Sequence, residues 1–254
     1  MQHSPELQAA LDAAEAAARI ARSLYQRNLD VRLKEDKSPV TEADVQCELA
    51  IRKILQRRFP AHGFYGEETG AHALQSEDIW LVDPIDGTKA FVREYPMFST
   101  QIALMRNGRI VLGVSSAPVY GELAYAEAGC GAFLNGKRLQ VSSIGTLSSA
   151  ALSAGNLKTL ASGPAWSRYG ALVAAVGRIR GYGDFLHYHL LAAGKIDAVI
   201  ESDVNILDIA ALTVIVEEAG GTFTDLDGGA VGLGTTTVLA TNGVLHESMR
   251  KSFE

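Results

Sequence analysis

The chain has 254 residues, and a hydrophobic content of 47% is enough to bury a substantial core. A net charge of −6, with no block of Lys and Arg, argues against a protein that binds nucleic acid or anionic membranes through its charge. Its two cysteines, Cys47 and Cys130, suggest neither a disulfide framework nor a cysteine-rich zinc site, so a reducing cytoplasm is the simplest compartment.

The N-terminal half predicts two helices followed by antiparallel strands. Residues 5–28 and 41–58 carry apolar residues at helical spacing, and Thr41 with Asp44 three positions later is typical of a capping box. Charged residues interrupt the apolar pattern of the first predicted helix, which is therefore unlike a signal peptide or a membrane-spanning segment. Strands are predicted near residue 64 and at 79–82, 99–106, 110–117, 122–127 and 132–140, with a hairpin turn at Asn107-Gly108.

The C-terminal half alternates between helical and extended patterns. Helices are predicted at 164–176, 185–194 and 207–219, and extended segments at 178–182, 196–201 and 222–224. This alternation predicts a layered α+β fold with mixed and antiparallel sheets. No Pro/Gly/Ser-rich linker separates the halves, so we expect one domain over 1–254 with lobes of about 1–146 and 147–254.

The segment Asp83-Pro84-Ile85-Asp86-Gly87-Thr88 is the most informative part of the chain. It follows an apolar run, and we expect the strand to end at Asp83 because Pro84 cannot continue the hydrogen-bond ladder. Gly87 permits close approach of a ligand, and a helix over 89–93 would offer free N–H groups to an anion.

Two crowded carboxylates repel each other unless a cation lies between them, and oxygen ligands favour magnesium, manganese or calcium over zinc. An ordinary Asp-Pro and Asp-Gly turn is the alternative interpretation of the same segment. The joint occurrence of these features at a strand end favours a site for metal and phosphate.

Further acids could complete this site. Glu67 and Glu68 follow a short apolar segment, and one of them could face the metal, although a solvated turn is the preferred explanation of such a pair taken alone. Asp208 lies among apolar residues at the start of a predicted helix, where capping is its simplest role. A carboxylate in apolar surroundings must nevertheless be paired, and a cation would serve.

These motifs together resemble the inositol monophosphatase superfamily of lithium-sensitive phosphatases. The matching segments are Gly66-Glu67-Glu68, 83–88, Asp208-Ile209-Ala210-Ala211 and Glu217-Glu218-Ala219-Gly220-Gly221. The resemblance implies an αβαβα sugar-phosphatase fold, a single catalytic domain and hydrolysis of phosphomonoesters by direct attack of water. It also implies two or three Mg²⁺ ions, for which Mn²⁺ could substitute, and a homodimer.

The resemblance also implies roles for individual residues. Metal binding falls to the side chains of Glu67, Asp83, Asp86 and Asp208 and to the carbonyl of Ile85. Backbone N–H groups of Gly87 and Thr88 would bind phosphate. Asp44 and Thr88 would polarise the attacking water and, with Glu67, are the expected catalytic residues. Leu207 stands where many relatives have Trp.

Within the superfamily, four segments resemble the actinobacterial type of histidinol-phosphate phosphatase. They are residues 37–44, 86–93, 182–186 and 240–246. Asp184 stands where inositol monophosphatases commonly have Ser, and Glu201 matches a position that contacts the organic part of the substrate. Two acids favour a cationic substrate such as L-histidinol phosphate, an intermediate of histidine biosynthesis. Capping of the helix that follows is the alternative role for Asp184.

His187 and His189 lie two positions apart on a predicted helix and cannot form one site, so we assign them no role and expect packing or surface positions. An inositol-phosphate phosphatase or a 3′(2′),5′-bisphosphate nucleotidase is the alternative within the same class. A noncatalytic metal-binding protein is the alternative from another class.

Overall fold

The computed structural model describes residues 3–27, 31–33 and 39–253. Residue 28 of the predicted first helix and residues 37 and 38 of one motif lie outside these ranges. Within them, no helix combines the length and the apolar character needed to cross a membrane.

In the described ranges the helices are α1 (Pro5–Leu24), α2 (Glu42–Arg58), α3 (Thr88–Val92), α4 (Lys158–Ala161), α5 (Ala165–Ala175), α6 (Asp184–Ala192), α7 (Ile206–Glu218) and α8 (His246–Arg250). The strands are β1 (Arg32–Leu33), β2 (Pro39–Val40), β3 (Gly63–Gly66), β4 (Gly70–His72), β5 (Asp78–Asp86), β6 (Ser99–Arg106), β7 (Arg109–Ala117), β8 (Glu122–Glu127), β9 (Gly131–Leu134), β10 (Lys137–Arg138), β11 (Ala151–Ala154), β12 (Arg178–Arg180), β13 (Ala198–Ser202), β14 (Thr222–Thr224) and β15 (Thr237–Thr241).

Two larger sheets organise the described part of the chain. The first has eight strands in the order β10-β9-β8-β7-β6-β5-β3-β4, and all its pairs are antiparallel except β3 with β5. The second has five strands in the order β12-β11-β13-β15-β14, with parallel pairs on both sides of β11. Both sheets lie between helices, as the alternation of buried residues along their strands shows.

Side chains on β5 alternate between two hydrophobic clusters. Trp80 and Val82 pack with α1 and α2, whereas Ile79 and Leu81 pack with α7. The strands of the second sheet alternate in the same way, since Val199 packs with α6 and α7 while its neighbours pack with α4, α5 and α8. Because successive strand residues point to opposite faces, the layers run helix, sheet, helix, sheet, helix.

This architecture confirms the predicted layered α+β fold. The capping box at the start of α2 is also confirmed. The Thr41 side chain accepts a hydrogen bond from the backbone of Asp44, and the Asp44 side chain accepts one from the backbone of Thr41. The helix predicted over 164–176 is preceded by the separate short helix α4, and the strand predicted over 132–140 is a hairpin of β9 and β10. The division into two lobes of one catalytic domain stays a prediction.

The expectation that the strand ends at Asp83 is wrong. β5 continues to Asp86, with a register shift between these two residues. Pro84 lies within this shift, where its missing N–H costs no ladder bond, and its carbonyl accepts a hydrogen bond from Thr100 Oγ1 at 2.9 Å. The bulge turns Asp83 and Asp86 into the site while keeping both on one strand.

Candidate active site

Three carboxylates from two elements converge at the end of β5. Asp83 and Asp86 come from the bulged strand, and Asp208 comes from the first turn of α7. One oxygen atom of each lies within 4.8 Å of an oxygen of the others. Asp83 is buried and the other two are half-buried. This triad contains three of the four acids that the sequence analysis assigned to metal binding.

Glu67 joins the triad from the loop after β3. Its side chain hydrogen bonds to Asp83, and its charge acts on both Asp83 and Asp208. The loop reaches this place because β3 is the parallel neighbour of β5, so both strands end at the same edge of the sheet.

Burial and mutual repulsion raise the pKa of each member of the triad. The pKa of Asp83 is raised by burial and then by the charges of Glu67, Asp86 and Asp208. That of Asp86 is raised by burial and by Asp184, Asp208 and Glu201. Burial also raises the pKa of Asp208 to about 7. A cluster that resists holding several negative charges is one in which bound cations would be strongly favoured.

Asp44 and Thr88 are placed together, as their predicted shared role requires. Thr88 Oγ1 lies 3.0 Å from Asp44 Oδ1 and 3.0 Å from the carbonyl oxygen of Ile85. The other oxygen of Asp44 accepts hydrogen bonds from Thr41 N at 2.8 Å and Thr41 Oγ1 at 2.6 Å. Both carboxylate oxygens of Asp44 are therefore fixed, and Asp44 is fully buried. Ile85 is linked to the triad by its N–H, which donates to Asp83 Oδ1 at 2.9 Å.

Gly87 is the position in this segment where only glycine fits. Its φ is +91°, and a Cβ atom would lie 2.5 Å from the carbonyl oxygen of Met97. The backbone at the start of α3 can therefore pass close to its neighbours without a side chain, as the prediction of phosphate binding at Gly87 and Thr88 requires.

Asp184 and Glu201 line the same cavity as Asp86 and Asp208. Asp184 comes from the first turn of α6, and Glu201 from β13. The N-cap of α6 is Gly183 and has no side-chain capping bond, so the alternative role of Asp184 as a helix cap is not observed. Burial and the charge of Glu201 raise the pKa of Asp184, whereas His187 lowers it.

Glu201 is held by three donors. Its Oε2 is 3.1 Å from His187 Nε2 and accepts a hydrogen bond from Tyr188 Oη at 2.7 Å, while Oε1 accepts one from Asn156 N at 3.1 Å. Gly155 makes room for it, since a Cβ atom there would lie 1.7 Å from Glu201 Oε1. Although burial raises the pKa of Glu201, these bonds and the charge of His187 leave it below its ordinary value.

The histidines of α6 point in different directions, as predicted, but both are buried and bonded to acids. His187 contacts Glu201, whereas His189 Nδ1 lies 2.8 Å from Glu122 Oε2. The expectation of no role for His187 needs revision, because its ring helps to fix an acid of the cavity. A surface position is wrong for both, and packing positions are correct.

Sequence reasoning missed Glu48, a fully buried acid on α2. Its two oxygens accept hydrogen bonds from Glu68 N and Thr69 N, each at 2.7 Å, and so hold the loop that carries Glu67. A Cβ atom on Gly66 would lie 2.5 Å from this carboxyl group. The available signal was spacing, since Glu48 lies four residues after Asp44 and so on the same helical face.

The donor set suits a hard divalent cation. Among the residues that the structure describes, it offers oxygen atoms from four acids and no nitrogen or sulfur ligand, which favours magnesium or manganese over zinc. Leu207, for which the resemblance implies Trp in many relatives, is buried in one cluster with Ile79 and Leu81, so the start of α7 packs on the first sheet.

Comparison with known proteins agrees with this geometry. The profile of the inositol monophosphatase family matches residues 2–254. A histidinol-phosphatase of Mycobacterium tuberculosis is 41% identical over 251 residues, covering 96% of each chain. An inositol-1-monophosphatase of Mesorhizobium japonicum is 35% identical, covering 94% of this chain and 93% of its own. The crystal structure of the extragenic suppressor protein suhB from Bartonella henselae superimposes with a TM-score of 0.89 at 32% identity, covering 97% of both chains.

The chain belongs to the inositol monophosphatase family, and is a metal-dependent phosphatase that acts on small phosphate esters. Its similarity to histidinol-phosphatases confirms the subfamily resemblance drawn from its motifs.

Proposed function

We propose that the protein hydrolyses L-histidinol phosphate to L-histidinol and phosphate with Mg²⁺ as its natural metal. The observation that carries this proposal is the cavity that Asp184 and Glu201 share with Asp86 and Asp208. Two acids beyond the metal triad suit a substrate whose organic part is cationic. An uncharged inositol ring could donate hydroxyl hydrogen bonds to them but would form no ion pair.

Different residues of the protein act on the phosphate end and on the organic end of the substrate. Backbone N–H groups at Gly87 and Thr88 receive the phosphate, and Asp44 with Thr88 orients the water that attacks phosphorus. Asp44 suits this role because burial raises its pKa, so it is more basic than an ordinary aspartate. Divalent ions held by Glu67, Asp83, Asp86, Asp208 and the Ile85 carbonyl would supply positive charge to the phosphoryl and leaving oxygens.

Asp184 and Glu201 receive the ammonium group at the other end. Glu201 is fixed by its three donors and contributes mainly a buried negative charge, whereas Asp184 is half-buried and faces the cavity. No phosphoenzyme is needed, since each side chain acts by orientation and charge.

A panel of phosphomonoesters assayed with and without chelator tests this proposal. We expect kcat/KM to be highest for histidinol phosphate and activity to disappear with chelator. Asp184→Asn should lower kcat/KM for histidinol phosphate by about 10- to 100-fold, the worth of a hydrogen bond to a charged group, and leave that for inositol 1-phosphate within about threefold.

Much faster hydrolysis of inositol 1-phosphate or adenosine 3′,5′-bisphosphate by the wild-type protein would contradict the proposed substrate. The 35% identity to an inositol-1-monophosphatase makes this the second candidate. Binding of Mg²⁺ or Mn²⁺ without release of phosphate from any ester would indicate the noncatalytic metal-binding alternative. A cytoplasmic location and a homodimer stay predictions, and sedimentation analysis would measure the latter.

A further inference from the structure

A chain of buried polar side chains runs from the metal triad to helix α6. Ser99 Oγ donates to Asp86 Oδ2 at 3.3 Å and accepts from Gln101 Nε2 at 2.7 Å. Gln101 Nε2 also donates to Ser115 Oγ at 3.1 Å. The same Ser115 oxygen lies 2.9 Å from His189 Nε2. Ser99, Gln101, Ser115 and His189 are all at most 2% exposed.

Gln101 sets the direction of the hydrogen bonds in this chain. Its amide nitrogen gives one N–H to each serine, so each hydroxyl keeps its own proton to donate outward. Ser99 then donates to Asp86. On the other side, His189 Nε2 lies 2.9 Å from Ser115 Oγ, and Nδ1 of the same ring lies 2.8 Å from Glu122 Oε2.

This arrangement leaves one polar atom of the Gln101 side chain without a hydrogen bond. Within the described residues its carbonyl Oε1 is buried and has no hydrogen-bond partner. A residue selected only to fill the sheet face would be apolar, as Ala103 is two positions later on the same strand. The Gln101 amide therefore bonds to both serines through its nitrogen and leaves its carbonyl without a partner among the described residues.

The series of hydrogen-bonded side chains ends at helix α6, which under the proposed function faces the organic part of the substrate. His189 lies on α6, which begins with Asp184 and carries two donors to Glu201, His187 and Tyr188. Gln101 therefore connects the ligand Asp86 with the element that holds the substrate acids. Its cross-strand partners are Ser115 on β7 and Asp83 on β5.

We propose that Gln101 is a positioning residue that fixes two parts of the site at once, the carboxylate of Asp86 through Ser99 and helix α6 through Ser115 and His189. The second part rests on the proposed function, since it assumes that the acids near α6 select the substrate. Gln101 touches neither substrate nor metal and acts only through these partners.

Three variants separate the two arms. Ser99→Ala removes the link to Asp86, Ser115→Ala removes the link to His189, and Gln101→Met removes both while nearly preserving volume. Three readouts are needed: the Kd for Mn²⁺ by electron paramagnetic resonance, amide hydrogen exchange in α6, and the ratio of kcat/KM for histidinol phosphate to that for inositol 1-phosphate.

We expect Ser99→Ala to raise the Kd for Mn²⁺ about tenfold, the usual effect of losing a partner of a metal ligand, with α6 exchange unchanged. Ser115→Ala should speed exchange in α6 and lower the selectivity ratio about three- to tenfold, with the Kd for Mn²⁺ unchanged. Gln101→Met should show both effects.

Equal changes in every readout for both serine variants would overturn the inference, because they would indicate general loosening of the core. So would a Gln101→Met variant that changes neither Mn²⁺ affinity nor α6 exchange. If that variant fails to fold, the contrast between the serine variants decides. A wild-type protein without preference for histidinol phosphate would refute the proposed function, whereas Mn²⁺ affinity and α6 exchange would still test Gln101.

Discussion

Replacing Asp208 by Asn should stabilise the metal-free protein, and more so at high pH. The folded-state pKa of Asp208 is raised from 3.8 to about 7. Between these values the folded protein holds a proton that the unfolded chain releases, so this group lowers stability as pH rises from about 4 to about 7. Asn cannot ionise and removes this dependence.

The expected size follows from the pKa shift and the local hydrogen bonds. One pKa unit corresponds to about 1.4 kcal/mol, so the full shift costs at most about 4 kcal/mol, of which about 3 kcal/mol develops between pH 5 and pH 8. Asp208 also accepts bonds from Asn205 N at 2.8 Å and Asn205 Nδ2 at 2.9 Å. Asn can keep the first and loses the second, a pH-independent cost of about 1 kcal/mol.

Urea unfolding in EDTA at pH 5 and pH 8 measures both effects. The stability of Asp208→Asn relative to wild type should increase between these pH values, and saturating Mg²⁺ should reverse the order at pH 8 by stabilising wild type more. Asp203→Asn is the matched control, because bonds from Thr159 lower the pKa of Asp203 and leave it ionised in both states at both pH values. A pH-independent difference for Asp208→Asn would refute the reasoning.

Three further substitutions test other parts of the site. Asp83→Asn should abolish turnover and leave the fold intact, so normal turnover would show that the metal assignment is wrong. Glu48→Gln places an amide where two N–H groups need acceptors, and should weaken Mn²⁺ binding about tenfold through the loop of Glu67, as measured by titration. Gly155→Ala must displace Glu201 and should lower kcat/KM for histidinol phosphate by about tenfold or more, with inositol 1-phosphate as the control substrate.

The local features of the site could be predicted from sequence because they depend on neighbours in the chain. Thr41 and Asp44 cap α2 through bonds over three residues, and Asp83 and Asp86 are only three positions apart in the chain. Gly87 was predicted to allow close approach, and its positive φ requires glycine. The continuation of β5 past Pro84 was missed, because a bulge removes the need for the N–H that proline lacks.

The supporting contacts could not be predicted because they join distant segments. Glu48 on α2 meets a loop 20 residues later, and His187 on α6 meets Glu201 on another layer. A single acid or histidine on a helix has the same pattern whether it is solvated or buried. Gln101 follows two other polar residues in its strand, and its role depends on Ser115 in the next strand.

The acids that we propose to select the substrate lie close enough to those that we propose to bind metal for their charges to interact. The charges of Asp184 and Glu201 contribute to the raised pKa of Asp86, so selectivity for a cation carries a cost for the metal-free site. Divalent ions offset that cost, because each additional negative charge near Asp86 also attracts them. Asp184→Ser, which places at this position the residue common in inositol monophosphatases, should therefore ease ionisation of Asp86 and weaken attraction for the ions. On the proposed function, recognition of the substrate's cation and retention of metal would therefore be coupled through Asp86, although different residues perform them.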